Sequence, residues 1–211
     1  ALHNVFQGGV LARSTDSSAT TWEDFTASGS SGHARLLRSL NGRLFLTTTS
    51  LIGSDPQVFS STNGADFAKS TIEGTSFSQV QDIIHGGGLY LINGAPGIAT
   101  STDGLNFTRS FPMNNTWGSF TLLGYGNGIY FGRTAGSNSD FYYSDDAVEW
   151  TKGQGNTLSG LVTTATNGTT IVGLGSDARV STDGINWASV VSSDIDPGLI
   201  SASSNLIQAS Y

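Results

Sequence analysis

Apolar residues in this chain come in short runs, and most runs follow a turn signal. Asn41-Gly42 precedes Arg43-Leu44-Phe45-Leu46, and Gly86-Gly87-Gly88 precedes Leu89-Tyr90-Leu91. Gly126-Asn127-Gly128 precedes Ile129-Tyr130-Phe131, and Asn167-Gly168-Thr169-Thr170 precedes Ile171-Val172. Asn-Gly and Gly-Gly before β-branched or aromatic residues predict hairpins, because the primed turns that suit twisted strands need positive φ. Another short strand is expected ahead of each turn: Ala34 to Leu40, Val80 to His85, Phe120 to Tyr125 and Leu161 to Thr166. A third, such as Gly97-Ile98-Ala99-Thr100, and a fourth, such as Phe107-Thr108-Arg109-Ser110, complete a four-stranded antiparallel meander.

Between the third and fourth strands a box recurs. Ser101-Thr102-Asp103-Gly104-Leu105-Asn106-Phe107 returns as Ser181-Thr182-Asp183-Gly184-Ile185-Asn186-Trp187, and with Asn for Asp as Ser61-Thr62-Asn63-Gly64-Ala65-Asp66-Phe67. Ser144-Asp145-Asp146-Ala147-Val148-Glu149-Trp150 keeps the Ser, the Asp and the aromatic, and Ser14-Thr15-Asp16 runs on to Trp22 over two extra residues. The third residues, Asp16, Asn63, Asp103, Asp146 and Asp183, are 47, 40, 43 and 37 residues apart. A period near 40 points to a propeller or a solenoid. The two ends each supply part of a unit, with Leu199 to Gln208 reading as a first and second strand and residues 1 to 13 leading to a box. The step across the join is 44 residues, like the others. The expectation is an all-β, five-bladed β-propeller of four-stranded antiparallel blades in a single domain, 1–211. Its ring is closed by N- and C-terminal strands sharing one blade, which leaves no open face. The expected blades are 199–211 plus 1–30, then 31–72, 73–112, 113–155 and 156–198.

A short acid or amide between a strand and a Gly can accept bonds from the turn's own N–H groups, while the following aromatic anchors the hairpin. Asp16, Asn63, Asp103, Asp146 and Asp183, with Trp22, Phe67, Phe107, Trp150 and Trp187, are therefore read as a folding device repeated once per blade. On these residues the chain resembles the Asp-box proteins, or bacterial neuraminidase repeats, whose pattern is Ser-x-Asp-x-Gly-x-x-Trp. It departs in placing Asp and Gly next to each other, one residue shorter. The resemblance implies a propeller with its boxes on the periphery, away from any active site. Members of that family range from sialidases to sorting receptors, lectins and assembly factors.

Composition narrows the function. Net charge is −7, with 9 basic against 16 acidic residues, which is too little positive charge to neutralise a run of phosphates. Nucleic acid is excluded as a partner on that ground. No stretch approaches the ~20 apolar residues that span a bilayer, so membrane insertion is not expected. The N-terminal ALHNVFQGGV has no signal-peptide layout and reads as a mature start. Zero Cys removes disulfides and thiolate metal sites. A one- or two-carboxylate box lacks the oxygen set of a calcium loop. His3, His33 and His85 fall on different units and read as surface or turn histidines. No metal and no cofactor is expected.

Enzymatic readings fare poorly. A sialidase would need three arginines converging on a carboxylate and an Arg-Ile-Pro motif, which is absent. Arg35, Arg38 and Arg43 lie around one strand and turn, where alternation splits them between faces. A glycosidase needs two carboxylates about 5 to 10 Å apart, and the innermost strands offer Asp82, with Glu73 shortly before it. Gly-x-Ser-x-Gly does not occur, and Gly86-Gly87-Gly88 belongs to a hairpin. The chain is thus read as non-enzymatic.

Loops joining outer to inner strands, and second to third strands, line one propeller face. In Pro112-Met113-Asn114-Asn115-Thr116-Trp117, Trp117 lies outside the box pattern, and an aromatic beside amides suits a sugar. Trp117, Asn114 and Asn115, with Phe77 and His33 in matching loops, are the candidate ligand-binding residues. Two functions follow: a carbohydrate-binding, lectin-like or adhesive module, or a structural or receptor-binding component of an assembly such as a phage virion or surface appendage. The partners would be a glycan, a surface receptor or other subunits, and the expected location extracellular, cell-surface or virion-associated.

Overall fold

The structure is a computed structural model that describes residues 2–4, 11–14, 22–25, 34–49, 56–73, 77–95, 97–112, 120–134, 140–154 and 160–190. The described residues form twenty β-strands. The chain divides into two compact units, residues 1–115 and 116–211.

In the first unit, β1 (Leu2–Asn4), β2 (Leu11–Ser14) and β3 (Trp22–Phe25) make a three-stranded antiparallel sheet. β4 (Ala34–Leu40), β5 (Arg43–Thr48), β6 (Val58–Ser61) and β7 (Ala68–Lys69) follow as a meander. β8 (Thr71–Glu73) then crosses to the next sheet, where β9 (Gln79–Gly86), β10 (Leu89–Ala95), β11 (Gly97–Ser101) and β12 (Asn106–Pro112) form a second meander. β8 adds to it as a fifth strand, parallel to β12, with Phe107 opposite Ile72. In the second unit, β13 (Phe120–Gly126), β14 (Ile129–Thr134), β15 (Phe141–Ser144) and β16 (Thr151–Lys152) form one meander. β17 (Leu161–Thr166), β18 (Ile171–Gly175), β19 (Ala178–Ser181) and β20 (Ala188–Ser189) form the other.

The hairpins fall where the turn chemistry puts them. Asn41-Gly42, Gly87-Gly88 and Asn127-Gly128 take positive φ at both central positions, the primed geometry that matches strand twist. Each first-to-second strand pair also contains a register shift, at Ala34/Leu36, Asn93/Gly94, Leu122/Gly124 and Leu161/Thr163. Such bulges increase local twist.

Among the described residues four four-stranded meanders are seen, not five. Residues 2–25 contribute three strands, and β1 pairs with β2 in the place expected for a C-terminal strand, with His3 opposite Ala12. The reason is loop closure: only six residues, including Gly8-Gly9, separate β1 from β2 in sequence, so pairing them costs little chain entropy. Residues 199–211, expected to complete that blade, lie outside the described residues.

Cores sit within and between adjacent sheets. In the first unit Phe45, Val58, Phe77, Val80, Ile83, Tyr90, Ile92, Ala99 and Phe107 pack as one cluster. Leu46, Phe59 and Phe67 with Ala34 form another on the β4–β7 sheet. In the second unit Leu123, Phe131 and Phe141 pack with Leu161, Ile171 and Trp187.

Candidate functional site

The four described boxes share one hydrogen-bonded construction. Ser101 Oγ donates to Asp103 Oδ1 at 2.8 Å and accepts from the N–H of Gly104 at 2.9 Å. Asp103 Oδ1 also accepts from the N–H groups of Leu105 and Asn106, at 2.7 and 2.8 Å. Its second oxygen accepts from Asn106 Nδ2 at 2.8 Å. Asp183 and Asn186 repeat this set. In the Ser61 box the acid and amide change places, and Asn63 Nδ2 donates to Asp66 Oδ2 at 2.8 Å. Ala147 occupies the Gly position of the fourth box at φ 60°.

These bonds lower the carboxyl pKa values. The N–H of Asn106, then that of Leu105, holds Asp103 far below the usual range. For Asp146 the leading cause is the N–H of Val148. For Asp183 burial pushes upward, but the bonds from Asn186, Ile185 and Ser181 together outweigh it and bring the group down to about 2. Donors committed to the turn keep these carboxylates ionised, and that suits a structural role. The aromatics also act structurally: Phe67, Phe107 and Trp187 are buried, Trp187 Nε1 donates to Gly184 O at 3.2 Å, and half-buried Trp150 meets Phe120 edge-on at 5.3 Å. Asp16 and the Trp22 side chain lie outside the described residues.

Of the candidate ligand-binding residues, His33, Asn114, Asn115 and Trp117 also lie outside the described residues. Phe77 is only 2% exposed and belongs to the core cluster, so it is not an open stacking surface. Its ring nevertheless bounds a cleft of about 260 Å³. Pro56, Gln57 and Val58 line this cleft at the start of β6, Lys69 and Ser70 at the end of β7, and Ile72 on β8. The walls are tied in place. Thr48 N–H donates to Gln57 O at 2.9 Å, Ser70 N–H to Val58 O at 2.8 Å, and Ser70 Oγ to Gly104 O at 3.2 Å. Val58 and Phe77 back the cleft as buried core, while Gln57, Ile72 and Lys69 are its more accessible lining residues.

Sequence patterns did not single out Lys69, Gln57 or Ile72. They also missed a ladder between β4 and β9. Arg38 Nε meets Asp82 Oδ1 at 3.2 Å, Asn41 Nδ2 and His85 Nε2 are 3.3 Å apart, and Gln79, with its amide oxygen turned to the guanidinium, accepts from Arg35. All three pairs have the same sequence separation of 44. Matching positions of successive repeats would have revealed them. Arg43 instead donates to Ser60 Oγ at 3.1 Å, so the clustered arginines do not converge on one point. Burial lowers the His85 pKa, which favours its neutral ring. Among the described residues no group of three or more His, Cys, Asp or Glu could hold a metal, and no helix is long and apolar enough to cross a membrane.

No protein-family model and no curated protein matches the chain. Solved structures do. The β-propeller domain of the Trilobed protease from Pyrococcus furiosus is 10% identical, with a TM-score of 0.54 over 86% of this chain and 66% of that one. The fold is a β-propeller. The computationally designed Ika8 protein is similar at 11% identity and a TM-score of 0.56, over 87% of this chain and 58% of that one. This chain thus spans less than two thirds of either structure. A thermostable family-43 glycoside hydrolase aligns at 13% identity over 74% of this chain and 70% of that one, but its TM-score of 0.42 gives the likeness no functional weight.

Within the propeller each meander is a blade and each box is the turn between its third and fourth strands. The cleft lies where the second-to-third connection of the β4–β7 blade meets the segment entering β9. Those are two of the loops expected on the ligand face.

Proposed function

We propose that the chain is a non-catalytic, carbohydrate-binding propeller that holds its ligand on the face formed by the second-to-third and outer-to-inner connections. The observation that carries this reading is the cleft lined by Gln57, Lys69 and half-buried Ile72 against the buried Val58 and Phe77, apolar residues with a few polar groups among them. Small-molecule sites have that composition, and at about 260 Å³ this one suits a single sugar ring more than a drug-sized ligand. Trp117, Asn114 and Asn115, which lie outside the described residues, remain the sequence candidates for further ligand contacts. Glycan-array binding by the protein, lost in Trp117→Ala or Gln57→Ala, is the expected result. A folded protein with no glycan hit, recovered from purified particles or appendages, would favour the assembly-component reading instead.

The boxes support membership of the Asp-box proteins, since Ser, Asp and Gly side chains and backbone close the turn through the same bonds in repeated copies. We also propose a fifth blade shared by both termini. With β1 already beside β2, the C-terminal segment 199–208 would add only the innermost strand, on the free edge of β1.

A further inference from the structure

From its rim we infer that the cleft takes the carboxylate-bearing ring of an acidic sugar, a hexuronate; this rests on the carbohydrate reading above and names its substrate class. Lys69 would meet the carboxylate while half-buried Ile72, backed by the buried Val58 and Phe77, meets the C–H face of the ring.

The charge pattern supports this choice. Arg38 is bonded to Asp82, Lys152 to Asp140 at 2.8 Å and Arg179 to Asp177 at 3.6 Å. Arg35 is held by Gln79 and Arg43 by Ser60, while Arg109 and Arg133 have interactions of their own. Among the described cations, Lys69 alone has no bonded partner among the described residues, and it lines the cleft. Two described acids close to it in sequence do not serve it. Asp66 is engaged by Asn63, and Glu73 follows Ile72 on β8, where alternation turns it to the opposite face from the cleft-lining Ile72. In a protein of net charge −7, the general field repels anions, so an ammonium at a cleft sets a local preference against that field. The cleft is also preorganised, because the bonds from Thr48 to Gln57, Ser70 to Val58 and Ser70 to Gly104 fix its rim before any ligand arrives.

The test is calorimetric titration of the full chain with glucuronate and galacturonate oligosaccharides and their neutral glucose and galactose counterparts, at low and physiological ionic strength. The acidic series should bind about tenfold tighter, as one charge-assisted hydrogen bond implies, and salt should narrow the gap. Lys69→Ala should erase the preference and Lys69→Arg keep most of it, both with unchanged thermal stability because Lys69 is exposed. Equal binding of acidic and neutral sugars would overturn the hexuronate assignment and leave the carbohydrate reading standing. An acidic preference that survives Lys69→Ala would overturn the cleft as its source. No binding of either series would overturn both.

Discussion

At the scale of single residues, the boxes offer a natural exchange experiment. Asp103 faces Asn106, whereas Asn63 faces Asp66, and in both the amide nitrogen donates to the carboxylate at 2.8 Å. Asn106→Asp alone would oppose two carboxylates and is expected to lower stability by about 1 kcal/mol. Adding Asp103→Asn recreates the arrangement of the first described box, and the double variant should return to within about 0.5 kcal/mol of the parent. Thr71 Oγ1, which donates to Asn106 Oδ1 at 2.9 Å, finds an acceptor in either residue. Urea midpoints of the four proteins form the cycle, and a double variant no better than Asn106→Asp would reject the exchange. The same residues set acid sensitivity. Folded-state pKa values below the ordinary value of about 4 mean that the native state binds fewer protons than the unfolded chain. Their stabilisation is therefore complete above that value and drains as pH falls toward about 2, the folded value of Asp183. Urea midpoints should drop across that window, and replacing Asp103, Asp146 and Asp183 together by Asn should flatten the drop while lowering the midpoint at neutral pH.

At the scale of elements, one glycine joins a box to the neighbouring blade. Gly104 has φ +69°, and a Cβ there would sit 2.8 Å from both Arg43 Cδ and the fully buried Phe45 Cζ. Gly42, at φ +72°, has nothing within 4 Å of the corresponding position. Both substitutions to Ala meet the left-handed penalty of about 1 kcal/mol, but only Gly104→Ala adds overpacking against a core ring. We expect roughly 2 to 3 kcal/mol for Gly104→Ala against about 1 for Gly42→Ala in chemical denaturation. Equal losses would mean that the box turn does not press on β5. Since Gly104 O also receives the Ser70 hydroxyl, the same variant should loosen the cleft rim and weaken any ligand held there. The hairpins around these glycines were legible in the sequence because turn chemistry is local: Asn41-Gly42 and Asn127-Gly128 announce their φ values without reference to the rest of the chain. β8 was not, because Thr71 to Glu73 forms a strand only through its parallel pairing with β12 of the next blade, and the Lys69 cleft was not, because its lining is gathered across three strands and two connections.

At the scale of the molecule, repeat spacing revealed the propeller but assigned too much of one blade to the C-terminus. The box steps locate third and fourth strands and say nothing about which segment lies beside β2. That segment is β1, separated from β2 by six residues in sequence. The proposed shared blade requires one strand on the free edge of β1, and Leu199 to Gln208 has the composition for it. If that strand forms, the β1 amides turned away from β2 exchange slowly in the full chain and quickly after deletion of 199–211. The deletion should also lower the urea midpoint, since an unpaired edge replaces a paired one. Deletion that leaves both the exchange of Leu2 to Asn4 and the midpoint unchanged would reject the shared blade, and the propeller would then stand on its four complete blades without that added strand.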